Sequence, residues 1–211
     1  MKTAEWYFDF VSPFSYLQLE RFDRLPPDVE VTLRPVVFAG LLDHLQHKGP
    51  AEIPGKRRFT YRFVQWLAQK ESIDFKFPPA HPFNPIRPLR LAIACGSGRR
   101  EVQQIFRFIW RDGRSPDDVQ AWDALTRALG VTDAETRINA PQVKSALRAN
   151  GERAIAAGVF GVPSFVIGAE VFWGFDATGM AIDYLNDPAA FASAEMARVS
   201  GLPVAAERPR R

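Results

Sequence analysis

The stretch Trp6-Tyr7-Phe8-Asp9-Phe10-Val11-Ser12-Pro13-Phe14-Ser15-Tyr16-Leu17 decides how the chain folds. Its first half, Trp6 to Val11, is an aromatic and β-branched run of strand length, broken only by Asp9, and predicts a buried central strand. Ser12 followed by Pro13 is a favoured helix opening, because the serine hydroxyl can cap a free N–H and proline at the first helical position needs none. Tyr16, Leu19, Phe22 and Leu25 continue at helical spacing until Pro26-Pro27 stops them. Val29, Val31 and Leu33 then alternate with Glu30, Thr32 and Arg34, the period of a half-buried strand. The first 38 or so residues therefore read as a β-α-β unit.

Beyond that unit the pattern changes. Between Lys56 and Gly130 apolar residues recur at 3.6-residue spacing, and no strand is expected. Phe59, Phe63, Trp66 and Leu67 make one stripe, expected as core or dimer face, and Val102, Ile105, Phe106, Ile109 and Trp110 make another that stops at Gly113. Ser115-Pro116-Asp117-Asp118 predicts a helix start, with Ser115 as cap, and Gly130 its end. Phe77 to Pro88 holds five prolines and predicts an irregular loop. From Pro141 the mixed pattern returns. A helix with Val143, Leu147 and Ile155 runs to Gly158, and Ser164 to Ile167 and Val171 to Trp173 read as a hairpin turning at Gly168. Asp176 is expected to cap a last helix carrying Met180, Ile182 and Leu185.

Composition narrows the function classes. The 211 residues are 46% hydrophobic and 24% charged, which is globular and far from a disordered balance. Net charge is +3, with Asp and Glu mixed among the basic residues, so no nucleic-acid footprint is expected. A single Cys95 cannot form an internal disulfide, a Cys-x-x-Cys redox pair or a thiolate zinc site. His44 and His47 have no further ligands to complete a site, so no metal is expected. No apolar run of membrane length or signal pattern is found, and a cytoplasmic location, away from membranes, is expected.

The order of elements resembles a thioredoxin-like domain with an all-helical insertion. The resemblance is carried by Phe8-Asp9-Phe10-Val11-Ser12-Pro13-Phe14-Ser15-Tyr16-Leu17, the loop from Phe77-Pro78 to Asn84, Gly161-Val162-Pro163-Ser164, and Trp173-Gly174-Phe175-Asp176. It is similar to the DsbA-related group of 2-hydroxychromene-2-carboxylate isomerases and kappa-class glutathione transferases. The fold class implied is α/β, with residues 1–38 and 141–200 as the thioredoxin-like domain, 39–140 as the helical insertion, and 201–211 as a flexible tail.

The resemblance also implies a chemistry. Where thiol oxidoreductases of this fold carry Cys-x-x-Cys, this chain reads Ser12-Pro13-Phe14-Ser15. Ser12 would face the sulfur of a bound glutathione, the cofactor, as the catalytic residue that stabilises the thiolate without attacking. Val162, ahead of a cis Pro163, would present its backbone to the tripeptide, and Trp173, Gly174, Phe175 and Asp176 would hold its other end. A thiol ordinarily titrates near about 8.5, a hydroxyl bonded to an anion contributes roughly 1.5 to 3 kcal/mol, and a helix N-terminus roughly 0.3 to 1. At about 1.36 kcal/mol per unit, the lower sum lowers the thiol pKa by about one unit.

For the isomerase, thiolate addition to the chromene, ring opening, rotation and elimination would give the trans-hydroxybenzylidenepyruvate and return glutathione. His44, Phe83 and Asn84 would line the pocket for a small aromatic acid of aromatic catabolism. His44 stands where the isomerases carry a lysine, and Phe175 where the family reads asparagine. A homodimer through the helical block is implied. The alternatives are a kappa-type transferase or peroxidase using another electrophile, and a redox-inactive binding module.

Taken alone, the same residues have plainer readings. Ser12 and Ser15 suit a helix cap and first turn, Pro163 a strand edge, Trp173 the core, Asp176 an N-cap, His81 a surface turn or pocket wall, and Cys95 an inert core position.

Overall fold

The computed structural model describes residues 1–206. Four strands, β1 (Lys2–Phe8), β2 (Val29–Pro35), β3 (Ser164–Ile167) and β4 (Glu170–Trp173), form one sheet in the order β2-β1-β3-β4. β2 runs parallel to β1, while β3 is antiparallel to β1 and to β4. The first crossover is made by helix α1 (Pro13–Leu19), so the β-α-β unit stands as read.

Alternation along β1 explains why the strand is apolar throughout. Trp6 and Phe8 point to one face, into a core with Phe10, Tyr16 and Phe106, and Tyr7 points to the other, with Val36, Leu41, Ala154 and Val162. The remaining helices are α2 (Phe38–His44), α3 (Pro54–Lys70), α4 (Ile86–Ala94), α5 (Arg99–Trp110), α6 (Val119–Ala128), α7 (Ala134–Asn139), α8 (Pro141–Ala156), α9 (Thr178–Asn186) and α10 (Ala194–Ser200). α5 packs on α1, α8 on α2 and β2, and α9 on β3 and β4. Phe106 of α5 sits among the rings of Trp6, Phe8, Phe10 and Tyr16, 4.5 Å from that of Phe10, and so joins a helix of the central block directly to the strand.

Several local expectations are corrected. β1 begins four residues earlier than read and ends at Phe8, because the peptides of residues 9 to 11 bend into the turn before α1. Asp118, not Ser115, caps α6 by accepting from Ala121 N–H, while Ser115 closes a local turn on Asp117 N–H. Asp176 is likewise not a cap, since α9 opens from Ala177 without a side-chain bond. α9 is followed by α10, and it buries Thr178, Ala181 and Leu185 while Met180 stays exposed. Pro88 enters the first turn of α4, where a missing N–H costs nothing.

On α3 only Leu67 of the expected stripe is core. Phe59, Phe63 and Trp66 are 68%, 37% and 50% exposed, their rings stacked in file along the helix. The expected flexible tail over 201–211 falls, for residues 207–211, outside the described residues. Among the described residues no helix is long and apolar enough to cross a membrane, and no cluster of His, Cys, Asp or Glu suits a metal ion.

Removing the fully buried Phe106 ring leaves a cavity against β1. Phe106→Ala is expected to cost about 3–5 kcal/mol in urea unfolding. A loss below about 1 kcal/mol, the range of a tolerated surface change, would mean that α5 does not brace the strand.

Candidate functional site

The turn joining β1 to α1 is built from hydrogen bonds to its own peptides. Asp9 is fully buried, and its carboxylate accepts from Val11 N–H through Oδ1 (3.0 Å) and from Phe38 N–H through Oδ2 (2.8 Å). The three carbonyls that follow are also taken: Asp9 by Ser12 N–H (3.0 Å), Phe10 by Trp110 Nε1–H (2.8 Å), and Val11 by His81 Nε2 (2.8 Å). Ser12 therefore stands at a fixed point. Its Oγ accepts from Ser15 N–H (3.3 Å) as the cap of α1 and lies 3.5 Å from the Val162 carbonyl. At that length the bond is weak, and the hydroxyl proton is available to an acceptor. Ser15 is fully buried, and its Oγ has no partner among the described residues.

The opposite wall comes from the β3-β4 hairpin. Val162-Pro163 is a cis peptide directly ahead of β3, and the Val162 N–H makes no hydrogen bond among the described residues. Gly174, at φ +95°, turns the chain after β4 and donates its N–H to the Pro163 carbonyl (2.8 Å). Its own carbonyl accepts from Gln18 Nε2 (2.9 Å), whose amide also meets Thr178 Oγ1 and Trp6 Nε1–H. Ser12, Val162, Pro163 and Gly174 are thus joined by direct hydrogen bonds, and they carry Trp173, Phe175 and Asp176 with them. Trp173 is 53% exposed and lies over Gly161, where any side chain would meet the indole. Asp176 is exposed beyond it, and Phe175 packs on the core.

The residues expected on the substrate side are placed less uniformly. The Phe83 ring packs near His81 and Trp110, beside the turn. Asn84 is exposed and its Oδ1 accepts from Ile86 N–H, at the start of α4. His44 is exposed at the far end of α2 from the Phe38 N–H that Asp9 grips, and no hydrogen bond or ring contact joins it to Ser12 among the described residues. Asp9 and Gln18 are site residues that sequence reasoning missed, and His81, expected as a surface turn or pocket wall, holds the Val11 carbonyl. Asp9 was visible as the one charge inside an apolar run; the partners of Gln18 and His81 lie 156 and 70 residues away.

Comparison with known proteins follows the same lines. The profile of the DSBA-like thioredoxin domain matches residues 3–186. The chain is 26% identical to glutathione S-transferase kappa 2 of Caenorhabditis elegans, covering 89% of this chain and 93% of that protein. It is 27% identical to a 2-hydroxychromene-2-carboxylate isomerase of Pseudomonas putida, over 82% and 89% respectively. Among solved structures, a 2-hydroxychromene-2-carboxylate isomerase superposes with a TM-score of 0.75 at 24% identity, covering 91% of this chain and all 100% of that one. The cytosolic disulfide reductase DsbM of Pseudomonas aeruginosa, solved with GSH, superposes at 0.57 and 16% identity over 92% and 99%. These likenesses show the fold, with an α/β thioredoxin-like sheet and helices as the sequence led one to expect.

Burial pushes the Asp9 carboxyl up from 3.8 to about 7, against the lowering effect of the N–H groups of Val11, Phe38 and Phe10. The folded state then holds a proton that the unfolded chain has released, so this contribution to stability is fullest below about pH 4 and is lost as pH rises through about 7. The stability difference between the wild type and Asp9→Asn, measured by urea unfolding across that window, is expected to narrow as pH rises. A difference independent of pH would show that Asp9 does not titrate there.

Proposed function

The chain belongs to the DSBA-like thioredoxin domain family, and on that premise we propose that it is an enzyme that binds glutathione as its thiolate and uses it to isomerise an aromatic-derived acid of the 2-hydroxychromene-2-carboxylate type. The observation that carries the reading is the Ser12 hydroxyl, capping α1 where oxidoreductases of this fold carry a cysteine, and only weakly engaged by Val162 O at 3.5 Å. A hydroxyl in that place donates to an anion and cannot be oxidised to a disulfide.

The residues present fit the tripeptide. The Val162 N–H is an unused backbone donor beside Ser12, and the turn from Trp173 to Asp176 offers an exposed indole and carboxylate for the remainder of the ligand. Bound there, glutathione would supply a sulfur nucleophile, regenerated at the end, for an isomerisation without net redox change. Ser12 holds the negative charge on that sulfur. α1 is only seven residues long, so its dipole is the lesser contributor and the hydroxyl bond, at roughly 1.5 kcal/mol or more, is the greater. Phe83 would provide an apolar wall beside the sulfur, with Asn84 at its rim.

The relatives leave room for a second reading, transfer of glutathione to another electrophile, because the chain is equally distant from a kappa transferase at 26% and an isomerase at 27%. The exposed position of His44, away from Ser12 contacts, favours neither a firm carboxylate anchor nor the isomerase in particular. The same proposal includes a cytoplasmic site of action, where glutathione is kept as the thiol, and a homodimer for which the exposed aromatic file of α3 offers a face.

The test is the ultraviolet spectrum of 2-hydroxychromene-2-carboxylate with enzyme, with and without glutathione. Conversion that requires glutathione is expected, and Ser12→Ala should lose about tenfold or more in turnover while its unfolding curve stays close to wild type. Glutathione-independent conversion, or full turnover in Ser12→Ala, would contradict the mechanism; turnover of other electrophiles alone would select the transferase.

A further inference from the structure

The peptide group that precedes Ser12 is held from outside the thioredoxin-like sheet. His81, in the proline-rich loop, places Nε2 2.8 Å from the Val11 carbonyl, and the Tyr61 hydroxyl of α3 lies 2.7 Å from both Nδ1 and the carbonyl of His81. A carbonyl can only accept, so Nε2 carries a proton. In the neutral ring Nδ1 is then an acceptor, and Tyr61 donates to it. The Val11 carbonyl therefore sets the tautomer, and Tyr61 holds the other ring nitrogen and so fixes the orientation of the imidazole.

The arrangement is satisfied in either charge state. If His81 gains a proton, Nδ1–H donates to the Tyr61 oxygen and the Tyr61 hydroxyl turns to the His81 carbonyl. The surroundings favour the neutral ring: Trp110 of α5 and Phe77 and Phe83 of the loop are uncharged, and burial pushes the imidazole below its ordinary value. The nearby titratable groups are Tyr61 itself, Arg57 one turn before it on α3, and Asp9, which holds the N–H of the same Val11 whose carbonyl His81 holds. Both polar atoms of the residue before Ser12 are thus fixed by side chains.

Resting on the glutathione reading above, we propose that His81, oriented by Tyr61, is a positioning residue: through the Val11 carbonyl it sets the place of the Ser12 hydroxyl against the bound thiol. It touches neither substrate nor sulfur. Its effect is exerted on the Val11-Ser12 peptide unit, whose carbonyl it polarises and whose N–H bonds back to Asp9 O. A bond that only tethered the loop could sit on any exposed peptide; this one sits on the peptide that aims the hydroxyl.

Two measurements on the full chain test this. Amide hydrogen exchange at Ser15 and Tyr16, whose N–H groups bond to Ser12 Oγ and Ser12 O, is expected to quicken by about two- to tenfold in His81→Ala and Tyr61→Phe, with α8 unchanged. His81→Gln, which keeps a donor for Val11 but cannot titrate, should restore the wild-type rate. In parallel, the ultraviolet absorbance of thiolate in the glutathione complex, followed against pH, should show the bound thiol titrating about half a unit to one unit higher in His81→Ala and Tyr61→Phe, and near wild type in His81→Gln. Unchanged exchange in His81→Ala overturns the positioning role whatever the ligand does. Wild-type protein that ionises glutathione with a pKa unaltered in both deletion variants overturns this inference alone. A wild type that leaves the thiol protonated overturns the glutathione reading, and the positioning role proposed on it falls as well.

Discussion

A buried carboxyl group with no ion-pair partner among the described residues organises this molecule. Asp9 gives up water, which is costly for a charge, and regains part of that cost from the N–H groups of Val11 and Phe38. Those two bonds stop β1, swing the chain into the Ser12 turn and attach the start of α2. The burden of keeping a carboxyl there explains why burial outweighs the N–H bonds in its titration. An apolar residue at position 9 would leave the N–H groups of Val11 and Phe38 without that acceptor and would weaken the turn.

Around that turn the site is assembled from two directions. From the sheet come Val162, the cis Pro163 and the Gly174 turn, drawn to α1 by Gln18, whose amide satisfies three groups at once. From outside the sheet come Trp110 of α5 and His81 of the proline-rich loop, which take the carbonyls of Phe10 and Val11. Each carbonyl of residues 9 to 11 is used, so the Ser12 hydroxyl is one of few polar groups in the turn with bonding capacity left over. With serines at 12 and 15 the turn has no disulfide chemistry of its own, and on the proposed reading the Ser12 hydroxyl is the donor offered to a ligand's sulfur.

Much of this was legible in the sequence because it is local. The strand-turn-helix of residues 6–17, the alternation of Val29 to Leu33 and the Gly168 hairpin are all set by period and by Gly and Pro chemistry, and the family profile over residues 3–186 agrees with the resemblance they carried. What failed locally failed for a physical reason. Ser115 and Asp176 have cap chemistry, but Asp118 lies at the helix start and Ala177 precedes α9, and a cap residue acts only where the backbone leaves N–H groups free. The aromatic stripe of α3, expected as core or dimer face, is core only at Leu67, because spacing does not say which side of a helix meets the rest of the chain. His81 was read as turn or wall because its role depends on Tyr61 and Val11, neither of them near it in the chain.

The central claim is that the Ser12 turn takes glutathione as a thiolate. It is tested most directly by titrating glutathione into the protein calorimetrically at neutral pH in two buffers of different ionisation enthalpy. The account expects binding accompanied by proton release, because a thiol with an ordinary pKa of about 8.5 must lose its proton to sit against the Ser12 hydroxyl as an anion. Binding with no proton exchanged, or no binding, would contradict it.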